Sequence, residues 1–555
     1  MLETLSGKSN MERMFPRLTQ AQCARLASHG HVRAISVGET LVHAGDRAPP
    51  FFLVLSGEVE IIQEGPRGEI LVVAHGPAQF TGEVNMLSGR RSLVHVRVSR
   101  AGEVVEIDHQ RLIELVQRDP DISEILMRAF ILRRVELIAR GLGDVVLLGS
   151  RHCAGTLRVK EFLSRNSLPY SFVDLDSDSG VQELLDRFHV QDADIPVLIC
   201  RGERVLRNPS NAEIAECLEL NESIATDHVH DVIVVGAGPA GLSAAVYAAS
   251  EGLDVLVIEI SAPGGQAGSS SRIENYLGFP TGISGQALAA RALTQARKFG
   301  AQLLIARTAA KLDCSERPYK VRLGEDDSIV RTRTIVIAAG AEYRKPALQA
   351  LVRFEGIGVY YAATFMEAQL CTDEEVIVIG GGNSAGQAAV FLADSARRVH
   401  ILVRSGGLGA TMSRYLIHRI ENHPRIELHS YTELVGLEGE THLEGVRWRN
   451  TEQLREETRP IRHVFVMTGA KPATSWVDTC LALDENGFIR TGPEISRDTL
   501  AEAGWPHERA PYLLETSAPG VFAVGDVRSG NIKRVSSAVG EGAIAISFVH
   551  RVLAE

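Results

Sequence analysis

Between about residues 15 and 108, apolar and polar positions alternate in short runs closed by glycine, the two-residue period of half-buried strands. Phe51-Phe-Leu-Val-Leu-Ser-Gly57-Glu-Val-Glu-Ile-Ile62 reads as two strands about a Ser-Gly turn, and Val94–Val98 and Glu103–Ile107 continue the series. From His109 to about Arg140 the period becomes helical, with Pro120 opening a second helix. Ile125, Leu126, Ala129, Ile131, Leu132, Val135 and Ile138 form its broad apolar stripe. Asp144 to about Leu220 then alternates strand and helix. Val145–Leu148, Tyr170–Val173 and Pro196–Ile199 read as strands, Leu157–Arg165 and Val181–Phe188 as helices. A polar linker, Asn221–His230, follows, and the C-terminus ends in a helix from Ser537 to about Leu553.

Beyond the linker, two apolar runs each lead into a glycine turn and a helical stretch. The first is Asp231-Val-Ile-Val-Val-Gly236-Ala-Gly238-Pro-Ala-Gly241, the second Val376-Ile-Val-Ile-Gly380-Gly-Gly382-Asn383-Ser384-Ala385. In such units the first glycine makes the tight turn and the second lets backbone approach a pyrophosphate. The third, or an alanine, lets helix pack on strand. Two units in one chain imply two dinucleotides, a flavin and the nicotinamide that reduces it. Glu259 closes the strand after the first unit, where a carboxylate accepts hydrogen bonds from an adenosine ribose. The corresponding strand of the second unit, Val399–Val403, ends at Arg404. Arginine there suits the 2′-phosphate of NADPH, with NADH and a merely solvated charge as the alternatives.

Composition narrows the partners. At 555 residues the chain needs several domains, and its net charge of -11 argues against nucleic acid as a partner. Gly, Pro, Ser and Glu break the apolar stretch at 232–260, so no membrane is expected. The N-terminus lacks a signal-peptide layout, and the seven cysteines are scattered and read as unpaired, which together point to the cytoplasm. No His/Cys cluster has metal-ligand spacing, and no Cys-x-x-Cys occurs anywhere.

Residues 229–555 resemble bacterial thioredoxin reductases. The likeness is carried by both glycine units and by Gly264-Gly265-Gln266, Ile273-Glu-Asn275-Tyr-Leu-Gly-Phe-Pro280, Ile335–Gly340, Val521–Asp526 and Lys533-Arg534-Val535. It implies FAD contacts at Gly236, Gly238, Gly241, Glu259, Gln266, Asn275, Gly340, Gly525, Asp526, Lys533, Arg534 and Val535. It implies NADPH contacts at Gly380, Gly382, Asn383, Ser384, Ala385 and Arg404. The same resemblance implies an FAD domain of 229–345 and 475–555, interrupted by an NAD(P)H domain at 346–474, in a homodimer. Dithiol-bearing relatives carry Cys-Ala-Thr-Cys where this chain has Ala362-Ala-Thr-Phe365. Without that pair the flavin cannot pass electrons to an internal disulfide. Cys371 reads as a buried, inert thiol.

Residues 144–220 resemble a glutaredoxin or thioredoxin-like domain. Cys153 stands at a strand-to-helix turn in Ser150–Thr156, and Ile195-Pro196 looks like the cis-proline of that fold. A lone Cys153 is the candidate catalytic thiol, the alternative being a degenerate domain used as a spacer. Residues 11–140 resemble a cyclic-nucleotide-binding domain through Gly45-Asp46, Leu55-Ser-Gly57-Glu58, Phe80-Thr81-Gly82-Glu83 and Arg91-Ser92. The resemblance places Glu83 on the ribose and Arg91-Ser92 on the cyclic phosphate of a cyclic nucleotide or similar effector. Thr81 interrupts the usual motif, so a β-roll that has lost its ligand stays open.

The expectation is a multidomain chain: a β-roll with helices, a thioredoxin-like α/β domain and two Rossmann-like α/β domains. Its activity is read as that of an FAD-dependent NAD(P)H oxidoreductase under ligand control. The acceptor stays open between thioredoxin, through Cys153 or partner thiols, and flavodoxin or ferredoxin. A flavin-bearing sensor without turnover is the remaining alternative.

Overall fold

The structure is a computed structural model that describes residues 14–65, 68–82, 86, 91–92, 94–139, 145–150, 153–175, 194–200, 204–222, 227–270, 272–348, 350–440, 442–477 and 479–555. Glu83 and the helix expected at 181–188 lie outside these residues. The chain divides into two compact units, Met1–Gly149, Asn166–Glu222 and Thr294–Gln302 in one, Ser150–Arg165, Ser223–Leu293 and Leu303–Glu555 in the other.

The N-terminal region comprises α1 (Gln20–Ala27), β1 (His31–Ile35), β2 (Thr40–Val42), β3 (Phe51–Gly65), β4 (Gly68–His75), β5 (His95–Ile107), α2 (His109–Arg118) and α3 (Pro120–Ala139). Its antiparallel sheet has the order β1-β5-β3-β4, with β2 on β5. The hairpin expected at Ser56-Gly57 is instead one bent strand. The β3–β5 register shifts at Val54/Ser56, Ser56/Glu58 and Glu58/Val59, with Gly57 at φ 82°. Gly102 faces this bulge so closely that a β-carbon on it would lie 2.1 Å from Ser56 O. The glycines therefore bend paired strands rather than ending them, and Val94–Val98 and Glu103–Ile107 likewise merge into β5. The two expected helices form as α2 and α3. Leu112, Leu115, Val116, Ile122, Leu126, Ala129 and Phe130 bury against Phe51, Phe80 and Ile107 of the sheet side.

Next come β6 (Val145–Gly149), α4 (Ala154–Arg165), β7 (Ser171–Asp174), β8 (Val197–Cys200), β9 (Arg204–Arg207) and α5 (Asn211–Cys217). Helix α4 starts ahead of the expected Leu157. The sheet order is β7-β6-β8-β9, parallel for β6–β7 and antiparallel elsewhere, and the Ile195-Pro196 peptide is cis.

The third region starts with β10 (Val229–Val235), α6 (Pro239–Ser250), β11 (Val255–Glu259), α7 (Gly285–Lys298), β12 (Gln302–Ile305), β13 (Ala309–Asp313), β14 (Tyr319–Leu323), β15 (Ile329–Ile337) and β16 (Ala341–Tyr343). It continues through β17 (Val359–Tyr360), α8 (Phe365–Leu370), β18 (Glu375–Ile379), α9 (Asn383–Leu392), β19 (Arg398–Leu402), α10 (Arg414–Glu421) and β20 (Ile426–His429). Short helical turns apart, it then runs through β21 (Thr432–Glu438), β22 (Gly445–Asn450), β23 (Arg455–Arg459), β24 (His463–Val466), β25 (Ala470–Pro472), β26 (Val521–Ala523) and α11 (Val535–Ala554). One sheet runs β12-β11-β10-β15-β14-β13, and β26 pairs in parallel with β15. Between β15 and β26 the chain builds a separate parallel sheet, β17-β24-β18-β19-β20, while β16 and β25 pair where it leaves and returns. The two parallel cores are continuous Val/Ile runs, as strands covered on both faces require.

Helix α11 is long and apolar enough to cross a membrane by length and composition. Here Ala538, Gly542, Ala545, Ile546, Val549 and Val552 are buried, and the helix packs on α6. Ser243 Oγ donates to Val539 O at 2.7 Å, and a β-carbon on Gly542 would lie 2.2 Å from Ala240 O. One cysteine expectation needs correction: Cys314 and Cys480 form a disulfide across 166 residues of sequence, a separation at which no local motif signals pairing. Among the described cysteines, Cys23, Cys153, Cys200, Cys217 and Cys371 are free.

Candidate functional site

The first glycine turn joins β10 to α6. Gly236 has φ 103°, and a β-carbon there would lie 2.4 Å from Ala338 O. A β-carbon on Gly241 would lie 1.8 Å from Gly236 O, so the helix can sit this close to the strand only with glycine. Gly238 is the N-cap of α6, and its side-chain position is open apart from Gly265 Cα at 3.9 Å. Gly264-Gly265, both with positive φ, bring a second stretch of bare backbone to within contact of Gly238. The result is a side-chain-free cradle at the positive end of a helix, which fits a pyrophosphate.

Glu259, buried at the end of β11, fastens this turn. Its Oε2 accepts from Ala237 N–H at 2.7 Å, and its Oε1 accepts from Ser261 and Ala262 N–H at 2.9 and 3.2 Å. Burial pushes its carboxyl up, and those main-chain donors oppose the shift. Both oxygens thus carry a structural duty alongside any ribose contact. Gln266 Nε2 donates to Ala341 O, Asn275 is exposed, and the space around Gly340 (φ 69°) is open.

The C-terminal segment returns to the same place. A β-carbon on Gly525 (φ 72°) would lie 3.0 Å from Ala240 Cβ in the first turn of α6. Gly525 N–H donates to Glu541 Oε2 at 2.7 Å, and Glu541 also pairs with Arg528 at 2.7 Å and accepts from Asn531 at 2.9 Å. Sequence reasoning missed Glu541, the one acid on α11, because its partners lie on a separate segment. Asp526 sits in the short 3-10 turn Gly525–Val527. Burial pushes its carboxyl up, Lys533 opposes that and Glu541 adds to it. Lys533 lies 5.2 Å from the centre of the Phe488 ring; Arg534 is the N-cap of α11 and Val535 its first residue.

The second cradle joins β18 to α9. A β-carbon on Gly380 (φ 138°) would meet Met467 O at 2.3 Å, whereas Gly382, the N-cap of α9, faces open space. Ala385 is buried and packs under Gly380. Asn383 Oδ1 accepts from Ser413 N–H at 2.8 Å, Ser384 is exposed, and Arg404 is exposed just beyond β19. The segment in place of the dithiol leads into α8, where Thr364 N–H donates to Glu367 Oε2 at 2.8 Å. Cys371 is fully buried and its thiol is pushed up by burial. Cys153 precedes α4 and accepts through its carbonyl from Leu157 N–H at 3.1 Å. Leu157 and Ala363 both pack on the apolar core of the second sheet, and a β-carbon on Gly356 would lie 3.1 Å from Ala154 Cβ. The start of the helix that follows Cys153 thus lies against Gly356, six residues ahead of Ala362, and shares an apolar core with Ala363.

In the N-terminal region Thr81 has a structural reason: its buried Oγ1 accepts from Phe52 N–H at 3.0 Å. Arg133, on α3, donates to Met14 O, Phe80 O and Gly82 O at 3.0, 3.1 and 2.8 Å, and complete burial lowers its pKa to about 9. Ser92 Oγ donates to Val94 O at 2.7 Å, and Arg91 pairs with Glu219. Two further groupings were hidden by sequence spacing. His228, His230 and Asp254 bring ligand atoms within 4.8 Å of one another, as do His400, Glu427 and His429.

Two bare-backbone cradles at helix starts, each following a strand paired in parallel on both sides, fit a protein that holds two dinucleotides. Residues 230–542 match the family described as pyridine nucleotide-disulphide oxidoreductase, and residues 32–119 match the cyclic nucleotide-binding domain. A thioredoxin reductase of Ureaplasma parvum is 31% identical over 321 residues, covering 58% of this chain and 96% of that protein. A bifunctional thioredoxin reductase/thioredoxin of Mycobacterium leprae is 32% identical over 332 residues, covering 60% and 67%. The solved thioredoxin reductase of Lactococcus lactis superposes with a TM-score of 0.52 at 26% identity, covering 59% of this chain and 99% of that one. The chain belongs to the pyridine nucleotide-disulphide oxidoreductase family. It is an FAD-dependent pyridine nucleotide oxidoreductase with an N-terminal cyclic nucleotide-binding domain.

Proposed function

We propose that this chain transfers electrons from NADPH, through FAD, to an external acceptor, and that a cyclic nucleotide bound in the N-terminal domain sets the rate. The observation that carries the reading is the pair of cradles, each lined by backbone and open where a pyrophosphate would lie. Residues 229–345 and 475–555 would hold FAD, and 346–474 the nicotinamide nucleotide. Bound FAD supplies hydride acceptance from NADPH, chemistry that asks no acid, base or nucleophile of the protein. The chain's own part is positional. The N–H groups at the starts of α6 and α9 would hold the two pyrophosphates, Arg404 would meet the 2′-phosphate, and Asp526 with Lys533 would border the flavin. A cytoplasmic homodimer completes the reading; the five free thiols favour that compartment and the Cys314–Cys480 disulfide counts against it.

The relatives are named for thioredoxin, but Ala362 and Phe365 remove the internal dithiol route. One observation favours a second route through Cys153: α4 starts beside Gly356 and packs Leu157 on the same apolar core as Ala363. The Cys153 thiolate would attack an acceptor disulfide and release one of its thiols. The resulting mixed disulfide would then take the two electrons that NADPH supplied, giving two thiolates. The strand order β7-β6-β8-β9 with a cis-Pro196 supports reading 144–220 as thioredoxin-like.

Anaerobic reduction of the flavin by NADPH, followed by reoxidation with thioredoxin, flavodoxin, a quinone or oxygen, tests both statements. Flavin bleaching by NADPH is expected, and its failure with NADPH and NADH alike would overturn the reading. Loss of disulfide reduction in Cys153→Ser, with flavin bleaching retained, is the result expected of the second route. Unchanged disulfide reduction removes Cys153 from it.

A further inference from the structure

The arginine expected to receive a ligand phosphate already holds an anion supplied by the chain. Arg91 Nε donates to Glu219 Oε2 and Arg91 Nη2 to Glu219 Oε1, both at 2.9 Å, a two-pronged grip on one carboxylate. Arg47 Nε donates to the same Oε2 at 2.9 Å. Arg47 and Arg91 face each other across an isolated antiparallel bridge. Gly45 N–H donates to Ser92 O at 2.8 Å, Ser92 N–H to Asp46 O at 2.9 Å, and Arg91 Nη1 to Gly45 O at 2.9 Å. Main chain therefore fixes the bases of two like charges side by side, and an anion between them relieves their repulsion.

Glu219 reaches this place from an unusual backbone position. Helix α5 ends at Leu218, after which Leu220 N–H donates to Ala215 O at 2.9 Å and Glu219 adopts φ 50°. That is the left-handed helix-ending position at which glycine is the default. A residue with a side chain persists there when its surroundings hold it, and such outliers gather at switches. Arg91 first, and then Arg47, hold the Glu219 carboxyl down at about 2, so it is ionised throughout the physiological range. A phosphodiester presents the same chemistry as this carboxylate: one negative charge shared by two oxygens.

We propose that Arg47 and Arg91 form a single two-guanidinium anion site, that Glu219 is its resident occupant, and that the phosphodiester of a cyclic nucleotide enters by displacing Glu219. The inference rests on the cyclic nucleotide reading above and adds to it a second ligand-binding arginine and a built-in competitor. A tethered carboxylate competes at high effective concentration, so only a ligand with further contacts of its own displaces it. Displacement frees the closing turn of α5. That turn is the last element before the linker to β10 in the sequence.

Calorimetric titration of the FAD-loaded full chain with cyclic AMP, cyclic GMP, 5′-AMP and inorganic phosphate tests this, comparing wild type with Glu219→Gln and Glu219→Gly. Removing the competing charge is expected to tighten the cyclic nucleotide about 10-fold, because the site no longer has to be vacated. Arg47→Ala in the Glu219→Gln background is expected to weaken it again. Equal affinity in wild type and both variants overturns the competition and leaves the cyclic nucleotide reading standing. No cyclic nucleotide binding to any of the three overturns both. A stronger response to 5′-AMP or inorganic phosphate overturns the assigned ligand. Hydrogen exchange on the wild type gives an independent readout, with faster exchange at the Glu219 and Leu220 amides expected on saturation. Unchanged exchange there overturns displacement.

Discussion

Arg404 is one exposed side chain just beyond β19, and in the function proposed above the nucleotide preference depends on it. Arg404→Ala is expected to raise the KM for NADPH by about 10-fold, from loss of a guanidinium–phosphate contact, and to leave that for NADH within a factor of two or so. Equal changes for both nucleotides in steady-state kinetics would remove the 2′-phosphate from the account. The residues legible in the sequence are those whose reason is local. Gly236, Gly238 and Gly241 could be read because a turn, a close approach and a helix contact all fall within six positions of one another. Glu541, Arg133 and Glu219 could not be read. Their partners at Gly525, Gly82 and Arg91 lie on other elements, and nothing in a one-dimensional pattern selects an acid or an arginine for a distant carbonyl, amide or guanidinium.

Elements followed the hydrophobic period wherever it was long. Helices α2, α3, α6, α9 and α11 and strands β10, β11, β18 and β19 stand where the pattern puts them. The misread elements are β3 and β5. In both, Gly57 and Gly102 allow a bulge at a close backbone approach, and a glycine in mid-strand carries the same letter as a glycine in a turn. At the α6–α11 crossing glycine permits contact instead. Gly542→Val would drive a β-carbon into Ala240 O, where 2.2 Å is available, with Ala244 N at 3.0 Å. A cost of about 3 kcal/mol is expected from the overpacking. Glu541, on the same helix, would withdraw from Gly525 and the purified protein would carry less flavin. Wild-type values for both melting temperature and flavin-to-protein absorbance ratio would refute this arrangement.

On the scale of the molecule the division into two compact units has a pH signature. His75, buried in the first unit beside Arg133, is held neutral. Burial chiefly, and the arginine next, push its pKa to about 3. The unfolded chain binds a proton there near pH 6.5 and the folded chain does not. Stability is therefore complete above about 6.5 and falls as pH drops towards 3. Between pH 7 and pH 5 the loss is about 2 kcal/mol for this one group. Thermal melting at the two pH values should show this loss in the transition that lacks the flavin signal. His75→Gln should flatten it, and a slope unchanged by that substitution would assign the acid sensitivity elsewhere.

Strand β26 pairs with β15 although nearly two hundred positions separate them, and α11, which packs on α6, follows β26 in the chain. A nascent chain on the ribosome can complete the inserted sheet while its first cradle still lacks Gly525, Asp526 and Glu541. On the function proposed above, flavin capture is expected to wait until residues 521–554 have emerged. Sequence order then makes the inserted sheet complete first and the first cradle last.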